Sequence, residues 1–270
     1  MSKHRFVFFG SDFVATKALR YLANVDLIPT LVVKGKIDSK IEIDIVNADC
    51  QFGVLASYGM IIPDKIIDLF SKGILNIHPS LLPILRGPSP VKSAILDNLK
   101  ETGVSIMLLD RELDHGPIIA QGKIGLSPQK ANSDELRDAL LKKGASLLKD
   151  ILPLWLDGRQ KVVEQEHVKA TYTRKFIAED GLLDVRSLFG QVPLKEVLEA
   201  ERKVRALNPE PGTYMMLLVT NESGELKKLR VKILKATTDG IKLVPLIVQP
   251  EGKKQMEWAS FLRGNKLTAF

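Results

Sequence analysis

The chain has 270 residues and a mass of 30.0 kDa, which is enough for two domains or for one large domain with an appendage. Its 45% hydrophobic and 26% charged residues are ordinary for a globular protein and argue against long disordered stretches. The net charge of +7 is compatible with a polyanionic partner such as nucleic acid but does not establish one.

The cysteine content and the hydropathy pattern indicate the cellular compartment in which the protein is expected. Cys50 is the single cysteine, which excludes an internal disulfide and a cysteine-based metal site and suits a reducing environment. The N-terminal apolar stretch is too short for a signal peptide, and no run of about eighteen apolar residues occurs. We therefore expect a cytoplasmic protein that is not exported and does not associate with membranes.

The first half of the chain alternates short apolar strands with helices. Arg5 to Gly10 is an apolar run ended by glycine, which is typical of a strand buried on both faces. The elements that follow are a helix at 13–23 after the capping pair Ser11 and Asp12, a strand at 31–33, one short element within 34–49, a strand at 54–57, a helix at 63–70, a strand at 74–78, a helix at 89–98 and a strand at 104–109. This alternation predicts a doubly wound α/β domain with a parallel sheet.

In the second half of the chain, the alternation of strands and helices ends and is followed by a polar linker and short strands. A strand at 118–124 and a long helix at 133–156, which Pro153 is expected to kink, complete a domain of residues 1–165. A polar linker, 166–193, leads to a third segment, 194–270, with a helix at 194–206, strands at 214–220, 229–234 and 241–248, and turns at 221–224 and 239–240. These short strands predict a small β-barrel. Residues 191–270 hold fourteen basic and nine acidic side chains, so most of the net positive charge lies there.

Asn76 and His78 are separated by one residue at the end of the predicted strand 74–78. Because side chains alternate along a strand, both point to the same face. The carboxyl ends of parallel strands line the ligand crevice of such a sheet, and we expect the strand ending at Leu109 to bring the loop 110–116 to that same edge. Asp114 in this loop is therefore predicted to approach His78.

The three side chains form a coherent chemical set. A carboxamide donor suits an oxyanion, an imidazole suits proton transfer near neutral pH, and a carboxylate orients an imidazolium. No evident covalent nucleophile accompanies His78, which favours direct attack by an acceptor substrate. Taken singly, each residue also has a structural explanation: Asn76 as a turn cap, His78 as a core histidine and Asp114 in an Asx turn.

Two long motifs resemble the folate-dependent formyltransferase family. NIHPSLLPILRGPSP at 76–90 contains its Asn-x-His-Pro-Ser-Leu-Leu-Pro hallmark, and TGVSIMLLDRELDHGPII at 102–119 contains the Leu-Asp-x-Gly that follows it. Residues 8–13 and 56–63 are similar to the family's first strand and to its folate-pocket segment. The resemblance implies a Rossmann-like domain, 10-formyltetrahydrofolate as co-substrate, no metal, and catalytic roles for Asn76, His78 and Asp114. It further implies that the cofactor is bound by Tyr58, Gly59, Met60, Ile61, Ser80, Leu81, Leu82, Pro83 and Asp110.

The C-terminal motifs resemble the branch of this family that formylates methionyl initiator tRNA. They are ATYTRKFIAEDGLLD at 170–184, VRALNPEPGTYM at 204–215 and VQPEGKKQM at 248–256. This branch carries a C-terminal OB-like β-barrel, and basic side chains there suit tRNA phosphates. A solvated basic face is the alternative for any single one. The implied tRNA-binding residues are Lys34, Lys36, Arg86, Lys227, Lys228, Arg230, Lys253 and Lys254.

Two features depart from the family pattern. Asp184-Val185 replaces the usual Asp-Trp, which we expect to affect packing of the linker. After Val33 the chain is shorter by roughly one strand-helix unit, and only Lys34-Gly35-Lys36 remains of a basic loop that in the family reaches the acceptor end of tRNA. Selection among tRNAs is therefore the function most affected.

Two other functions stay open. A sugar-amine N-formyltransferase would share the N-terminal motifs, and a degenerate tRNA-binding module would have lost catalysis with the missing segment. Glycinamide ribonucleotide formylation and formyl-folate hydrolysis leave the C-terminal motifs unexplained. We expect a monomer.

Overall fold

The computed structural model describes residues 4–125, 131–221 and 225–267, which form two compact units. The first unit contains the described residues of 1–91, 100–127 and 134–174, and the second contains those of 92–99, 128–133 and 175–270. Residues of the expected linker, 166–193, are thus divided between the two units. The turn expected at 221–224 falls largely outside the described residues.

The sheet of the first unit has six strands. They are β1 (Phe6–Phe9), β2 (Leu31–Val33), β3 (Phe52–Leu55), β4 (Ile74–His78), β5 (Glu101–Leu108) and β6 (Ile118–Gly125). The helices that alternate with or follow them are α1 (Phe13–Ala23), α2 (Ser39–Asn47), α3 (Asp64–Ile67), α4 (Pro90–Leu96) and α5 (Ser133–Leu156). The strand order is β2-β1-β3-β4-β5-β6, which confirms the α/β class.

Strand direction is the main difference from the expected parallel sheet. The four strands β2, β1, β3 and β4 run parallel, whereas β5 is antiparallel to β4 and β6 is antiparallel to β5. The expectation of an all-parallel sheet is therefore wrong for β5, which runs opposite to both of its neighbours, whereas β6 runs in the same direction as β4. The alternation of strand and helix predicts the kind of element, but the direction depends on how each connection crosses the sheet.

Local sequence explains the elements nearest the site. All four residues of β1 are completely buried, as its unbroken apolar sequence predicts. Asp12 caps α1 by accepting a hydrogen bond from the amide of Ala15 at 2.8 Å. The short element expected within 34–49 is the helix α2, which Asp38 caps and which buries Ile45.

The second unit includes most of α4 and, in the C-terminal part of the chain, an antiparallel sheet with its own helices. Its elements are α6 (Leu194–Leu207), β7 (Tyr214–Asn221), β8 (Leu226–Thr238), β9 (Leu243–Pro250), β10 (Met256–Glu257), α7 (Trp258–Arg263) and β11 (Asn265–Leu267). The strand order is β10-β9-β8-β7-β11. Among the described residues β10 and β11 do not pair with each other, so the sheet forms an open half-barrel of OB-like character.

The core of the second unit includes part of the connecting segment. Val185, which stands where the family has Trp, begins a short 3₁₀ helix and is partly buried against the apolar cluster around Val197 and Val231. The valine side chain thus packs on the core of the second unit. In 4–125, 131–221 and 225–267, none of the helices combines the length and the apolar character needed to cross a bilayer.

Candidate active site

Asn76 and His78 lie on β4, and both side chains are buried. β4 occupies the middle of the six-stranded sheet, between β3 and β5. The alternation of side chains along the strand places the carboxamide and the imidazole on the same face. This part of the sequence-based prediction agrees with the structure.

Asp114 reaches this face by a different route from the expected one. Because β5 is antiparallel to β4, Leu108 at the end of β5 pairs with Leu75 near the start of β4. Residues 109–117 then form the loop of the β5–β6 hairpin, whose residue Asp114 contacts Asn76 and His78. The predicted proximity is correct, but the assumption of two parallel strands ending at one edge is wrong.

The carboxylate of Asp114 joins the other two residues. Its Oδ1 accepts a hydrogen bond from Nδ2 of Asn76 at 3.3 Å and lies 3.5 Å from Nδ1 of His78. Its Oδ2 accepts a hydrogen bond from the amide of Gly87 at 2.7 Å. Nε2 of His78 lies 3.1 Å from the carbonyl oxygen of Leu85. Both ring nitrogens of His78 therefore lie near acceptor oxygens.

The loop after β4 is held by a segment whose role sequence reasoning missed, residues 165–173, here called the return segment. Oγ1 of Thr171 accepts from the amide of Leu85 at 2.8 Å, and Oγ1 of Thr173 accepts from the amide of Ser89 at 3.0 Å. The return segment thereby fixes the loop that carries Gly87. Its threonines lie in a polar stretch with no periodicity, so the sequence offered no indication of their partners.

Arg86 is not available for the tRNA contact predicted for it. Its side chain is only 2% exposed, and its Nε and Nη2 donate to Oε1 of Gln165 at 3.2 and 2.7 Å. Nη1 donates to the hydroxyl of Tyr172 at 3.2 Å, and Nη2 lies 2.9 Å from Nδ1 of His167. A guanidinium with this number of internal partners organises the loop after β4 and does not reach a phosphate at the surface.

The predicted cofactor-binding residues divide into a buried and an accessible group. Tyr58 is 1% exposed, its hydroxyl donates to the carbonyl oxygen of Gly35 at 2.7 Å, and burial raises the pKa of the phenol. Ser80 is completely buried and donates to the carbonyl oxygen of Ile84 at 2.7 Å. Leu82 is also buried. These three side chains are buried beneath the surface that is predicted to bind the cofactor, here called the cofactor surface. Its accessible members are Gly59, Met60, Ile61, Leu81, Pro83 and Asp110.

Asp110 has partners within its own loop. Its Oδ1 accepts from the amide of Glu112 at 3.0 Å, and its Oδ2 lies 2.7 Å from Nδ1 of His115. The ring of His115 stacks on that of His167 in the return segment, with centroids 4.0 Å apart. Asp110 therefore stabilises the loop that presents Asp114, in addition to being half-exposed for a ligand.

A basic face lies on one side of the sheet in the second unit. Lys228, Arg230 and Lys232 share this face because side chains alternate along β8, while Val231 and Ile233 on the other face are buried. We call Lys228, Arg230 and Lys232 the basic face. Lys232 was not among the predicted residues, although its spacing from Lys228 and Arg230 identifies it once the strand is known to begin at Leu226, before the predicted start at 229.

The other predicted cations differ in position. Lys227 lies on the opposite face of β8 from the basic face. Gln249 pairs with Lys232, and its Nε2 donates to the carbonyl oxygen of Lys253 at 3.1 Å, which brings the turn with Lys253 and Lys254 beside the basic face. In the first unit Lys34 and Lys36 are exposed on the connection between β2 and α2.

The described part of the chain holds no cluster of metal-ligating side chains. Within it, no three or more His, Cys, Asp or Glu side chains are grouped in a way that would hold a metal ion. The site is thus built from an amide, an imidazole and a carboxylate, with backbone amides around them.

Comparison with known proteins identifies the family. The profile of the formyl transferase family matches residues 22–152. A methionyl-tRNA formyltransferase of Listeria monocytogenes is 34% identical over 252 residues, covering 86% of this chain and 76% of the relative. A methionyl-tRNA formyltransferase of Chloroflexus aurantiacus is 42% identical over 164 residues, covering 61% of this chain. The chain spans about half the length of this second relative, since the match covers 50% of it.

Solved structures agree with the fold. A methionyl-tRNA formyltransferase from Clostridium thermocellum superposes with a TM-score of 0.63 at 16% identity, covering 94% of this chain and 99% of that one. HypX from Aquifex aeolicus in complex with tetrahydrofolic acid has a TM-score of 0.69 at 17% identity, covering 96% of this chain and 46% of that one. A sugar N-formyltransferase from Shewanella has a TM-score of 0.59 at 18% identity, covering 91% of this chain and 99% of that one.

The matches to two methionyl-tRNA formyltransferases cover 86% and 89% of this chain, so they extend well beyond the formyl transferase region at 22–152. From sequence identity above 30% across more than two thirds of such relatives, we conclude that the chain belongs to the methionyl-tRNA formyltransferase family.

Proposed function

We propose that this protein transfers the formyl group of 10-formyltetrahydrofolate to the amino group of methionyl initiator tRNA. The observation that carries the proposal is the buried group of Asn76, His78 and Asp114, in which one carboxylate contacts both the carboxamide and the imidazole. Family membership supplies the chemical class of the reaction. The geometry supports the role that we propose for each side chain.

Asn76 is suited to stabilise the oxyanion. The amino group of the acceptor attacks the formyl carbon and produces a tetrahedral intermediate whose oxygen carries negative charge. Nδ2 of Asn76 has two N–H bonds, of which one is directed to Asp114. The second N–H can donate to the oxyanion, and the hydrogen bond to Asp114 keeps the carboxamide in a fixed orientation for this purpose.

His78 and Asp114 are suited to manage the proton. The attacking amine must lose a proton, and the departing folate nitrogen must gain one. The carboxylate of Asp114 lies 3.5 Å from Nδ1 of His78, so it favours and orients an imidazolium formed during the transfer. The protonated ring adds positive charge beside the oxyanion.

The formyl donor is proposed to lie against the accessible residues of the cofactor surface. Met60 and Ile61, the latter 93% exposed, offer apolar contact area, and Leu81 and Pro83 follow the strand that carries the catalytic pair. Folate contains a flat heteroaromatic ring, which is suited to contact with apolar side chains. The buried Tyr58, Ser80 and Leu82 act on the donor only through the backbone that they support.

The acceptor assay that tests the proposal uses purified protein, 10-formyltetrahydrofolate and methionyl initiator tRNA. We expect formylmethionyl-tRNA to accumulate, while nucleotide-linked amino sugars remain unmodified. Asn76→Ala should lower kcat by about 10²- to 10³-fold because an oxyanion donor is lost. Transfer to the amino sugar in preference to the tRNA would instead establish the sugar-amine activity.

A parallel assay with methionyl elongator tRNA tests selectivity. Lys34 and Lys36 are the exposed cations on the five-residue connection between β2 and α2, where the family carries a longer loop. Comparable rates on initiator and elongator tRNA would show that discrimination was lost together with that loop. A strong preference for the initiator would assign discrimination to another part of the chain.

The basic face is proposed to bind tRNA phosphates. Replacing Lys228 and Lys232 by Glu should raise the KM for tRNA at least about tenfold and make its salt dependence shallower, since each phosphate contact contributes to the salt slope. The matched control replaces Lys195 and Lys242, two exposed lysines of the same unit outside the basic face, by Glu. Equal effects of both double variants would indicate a response to net charge alone and contradict a local interface.

A further inference from the structure

Gln165, in the return segment, has a carboxamide that is completely hydrogen-bonded next to the catalytic residues. The residue is 4% exposed. Its Nε2 donates to the carbonyl oxygens of Asp114 at 2.9 Å and of Gly116 at 2.7 Å, and its Oε1 accepts twice from Arg86. Because a guanidinium can only donate, the amide oxygen must face Arg86 and the amide nitrogen must face the loop of Asp114.

The backbone of Asp114 is stabilised by such support. Its φ of +50° lies in the left-handed region, which most residues with a Cβ atom avoid and which aspartate adopts more readily. The neighbouring contacts fix the residue in this conformation. Gln165 binds the backbone carbonyl of Asp114, while the amide of Gly87 binds its carboxylate at 2.7 Å.

These contacts form a closed ring. Arg86 holds the carboxamide of Gln165, Gln165 holds the backbone of Asp114, and the Asp114 carboxylate accepts from Gly87, which follows Arg86 directly in the chain. A closed ring restricts both the backbone and the carboxylate of Asp114 relative to β4. The distance from this carboxylate to His78 therefore depends on Gln165, although Gln165 makes no contact with His78 in the hydrogen bonds described.

We propose that Gln165 is a positioning residue for the formyl transfer, acting by holding Asp114 in register with Asn76 and His78. This inference rests on the proposed function for its kinetic consequences, but its structural part can be measured without substrate. Gln165 is predicted to act through Asp114, and not by touching the substrate.

The variant that isolates this role is Gln165→Glu. A glutamate has nearly the same volume and keeps an acceptor for Arg86, but it cannot donate to the carbonyl oxygens of Asp114 and Gly116. Gln160→Glu is the matched control, because Nε2 of Gln160 donates to the carbonyl oxygens of Ile119 at 3.0 Å and Lys161 at 3.2 Å, outside the catalytic loop. Both variants replace an amide that bridges two carbonyl groups.

Kinetics distinguish positioning from a general loss of stability. For Gln165→Glu we expect kcat to fall about 10- to 100-fold, with the KM values for tRNA and folate within about threefold of wild type. Gln160→Glu should leave kcat within about threefold. In the Asp114→Asn background, adding Gln165→Glu should lower kcat by less than about threefold, because the residue through which it acts is already impaired. If Gln165→Glu lowered kcat by about a further 10- to 100-fold in the Asp114→Asn background, the proposal would be overturned.

Hydrogen exchange at the amide of Gly87 provides the readout without substrate. This amide donates to Asp114, so Gln165→Glu should increase its exchange rate at least about tenfold, while Gln160→Glu leaves it unchanged. If the wild-type protein does not transfer formyl groups but Gln165→Glu still increases the exchange rate of the Gly87 amide, the proposed function fails and the positioning of Asp114 stands. If wild type is active and neither kcat nor Gly87 exchange responds, the positioning role alone is refuted. Gln165→Asn, whose carboxamide is one methylene too short for the span, serves the same measurements if the glutamate variant does not fold.

Discussion

Asp114→Asn is expected to lower kcat by about 10²- to 10⁴-fold, the range contributed by groups that assist proton transfer. Asparagine has the same shape as aspartate and tolerates the left-handed backbone found at this position, with φ at +50°. Its oxygen can still accept from Gly87, but its amide nitrogen then faces Nδ2 of Asn76 and Nδ1 of His78, where a negative acceptor is needed. The charge is lost while the backbone is preserved.

Asp49→Asn is the control for this experiment. Asp49 also has a left-handed backbone, with φ at +46°, but it is exposed at the end of α2. Its replacement should leave kcat within about threefold of wild type. Steady-state kinetics of both variants with saturating formyl donor make the comparison. An Asp114→Asn enzyme with near-wild-type kcat would remove Asp114 from the catalytic set.

Gly116→Ala is expected to lower the free energy of unfolding by about 3 kcal/mol or more, near or beyond the upper end of typical overpacking effects. A Cβ atom at Gly116 would overlap the carbonyl oxygen of Leu108, a backbone atom at the end of β5 that cannot rotate away. The carbonyl of Gly116 also accepts from Gln165, so displacement of this residue disturbs Asp114 as well. The kcat of the folded fraction should fall for that reason.

Chemical denaturation of Gly116→Ala and of Gly35→Ala tests this prediction. A Cβ atom at Gly35 would meet no heavy atom within 4 Å, and its backbone does not have the positive φ that favours glycine. We expect Gly35→Ala to change the free energy of unfolding by no more than about 1 kcal/mol, in the stabilising direction if the unfolded chain loses entropy. Similar stability of the two variants would mean that the hairpin loop can shift to accept the methyl group.

The sequence predicted most elements near the site because their signals are local. The helix α1 has the predicted bounds, Phe13–Ala23, since Asp12 caps it and its apolar residues recur at helical spacing. The strand β4 also has its predicted bounds, Ile74–His78. The strand β8, Leu226–Thr238, is longer than the predicted 229–234, because lysines at 227, 228 and 235 interrupt the apolar alternation on either side of the predicted range.

The direction of β5 is a case where local signals are insufficient. The sequence of Glu101–Leu108 favours a strand in either direction, and only pairing with β4 and β6 decides between them. Asp114 nevertheless reaches His78, because the loop of the β5–β6 hairpin contacts the same face of the sheet. The sequence-based prediction of their proximity was therefore correct, but the strand geometry assumed for it was not.

By itself, the sequence determined the α/β class and the shared face of Asn76 and His78, because the strand period acts over a few residues. Only the tertiary structure decided that Arg86 is buried and that Gln165 holds the loop of Asp114. These properties depend on contacts such as that between Arg86 and Gln165, which are 79 residues apart. Side-chain type and spacing do not predict such partners, since burial and pairing arise when distant segments pack together.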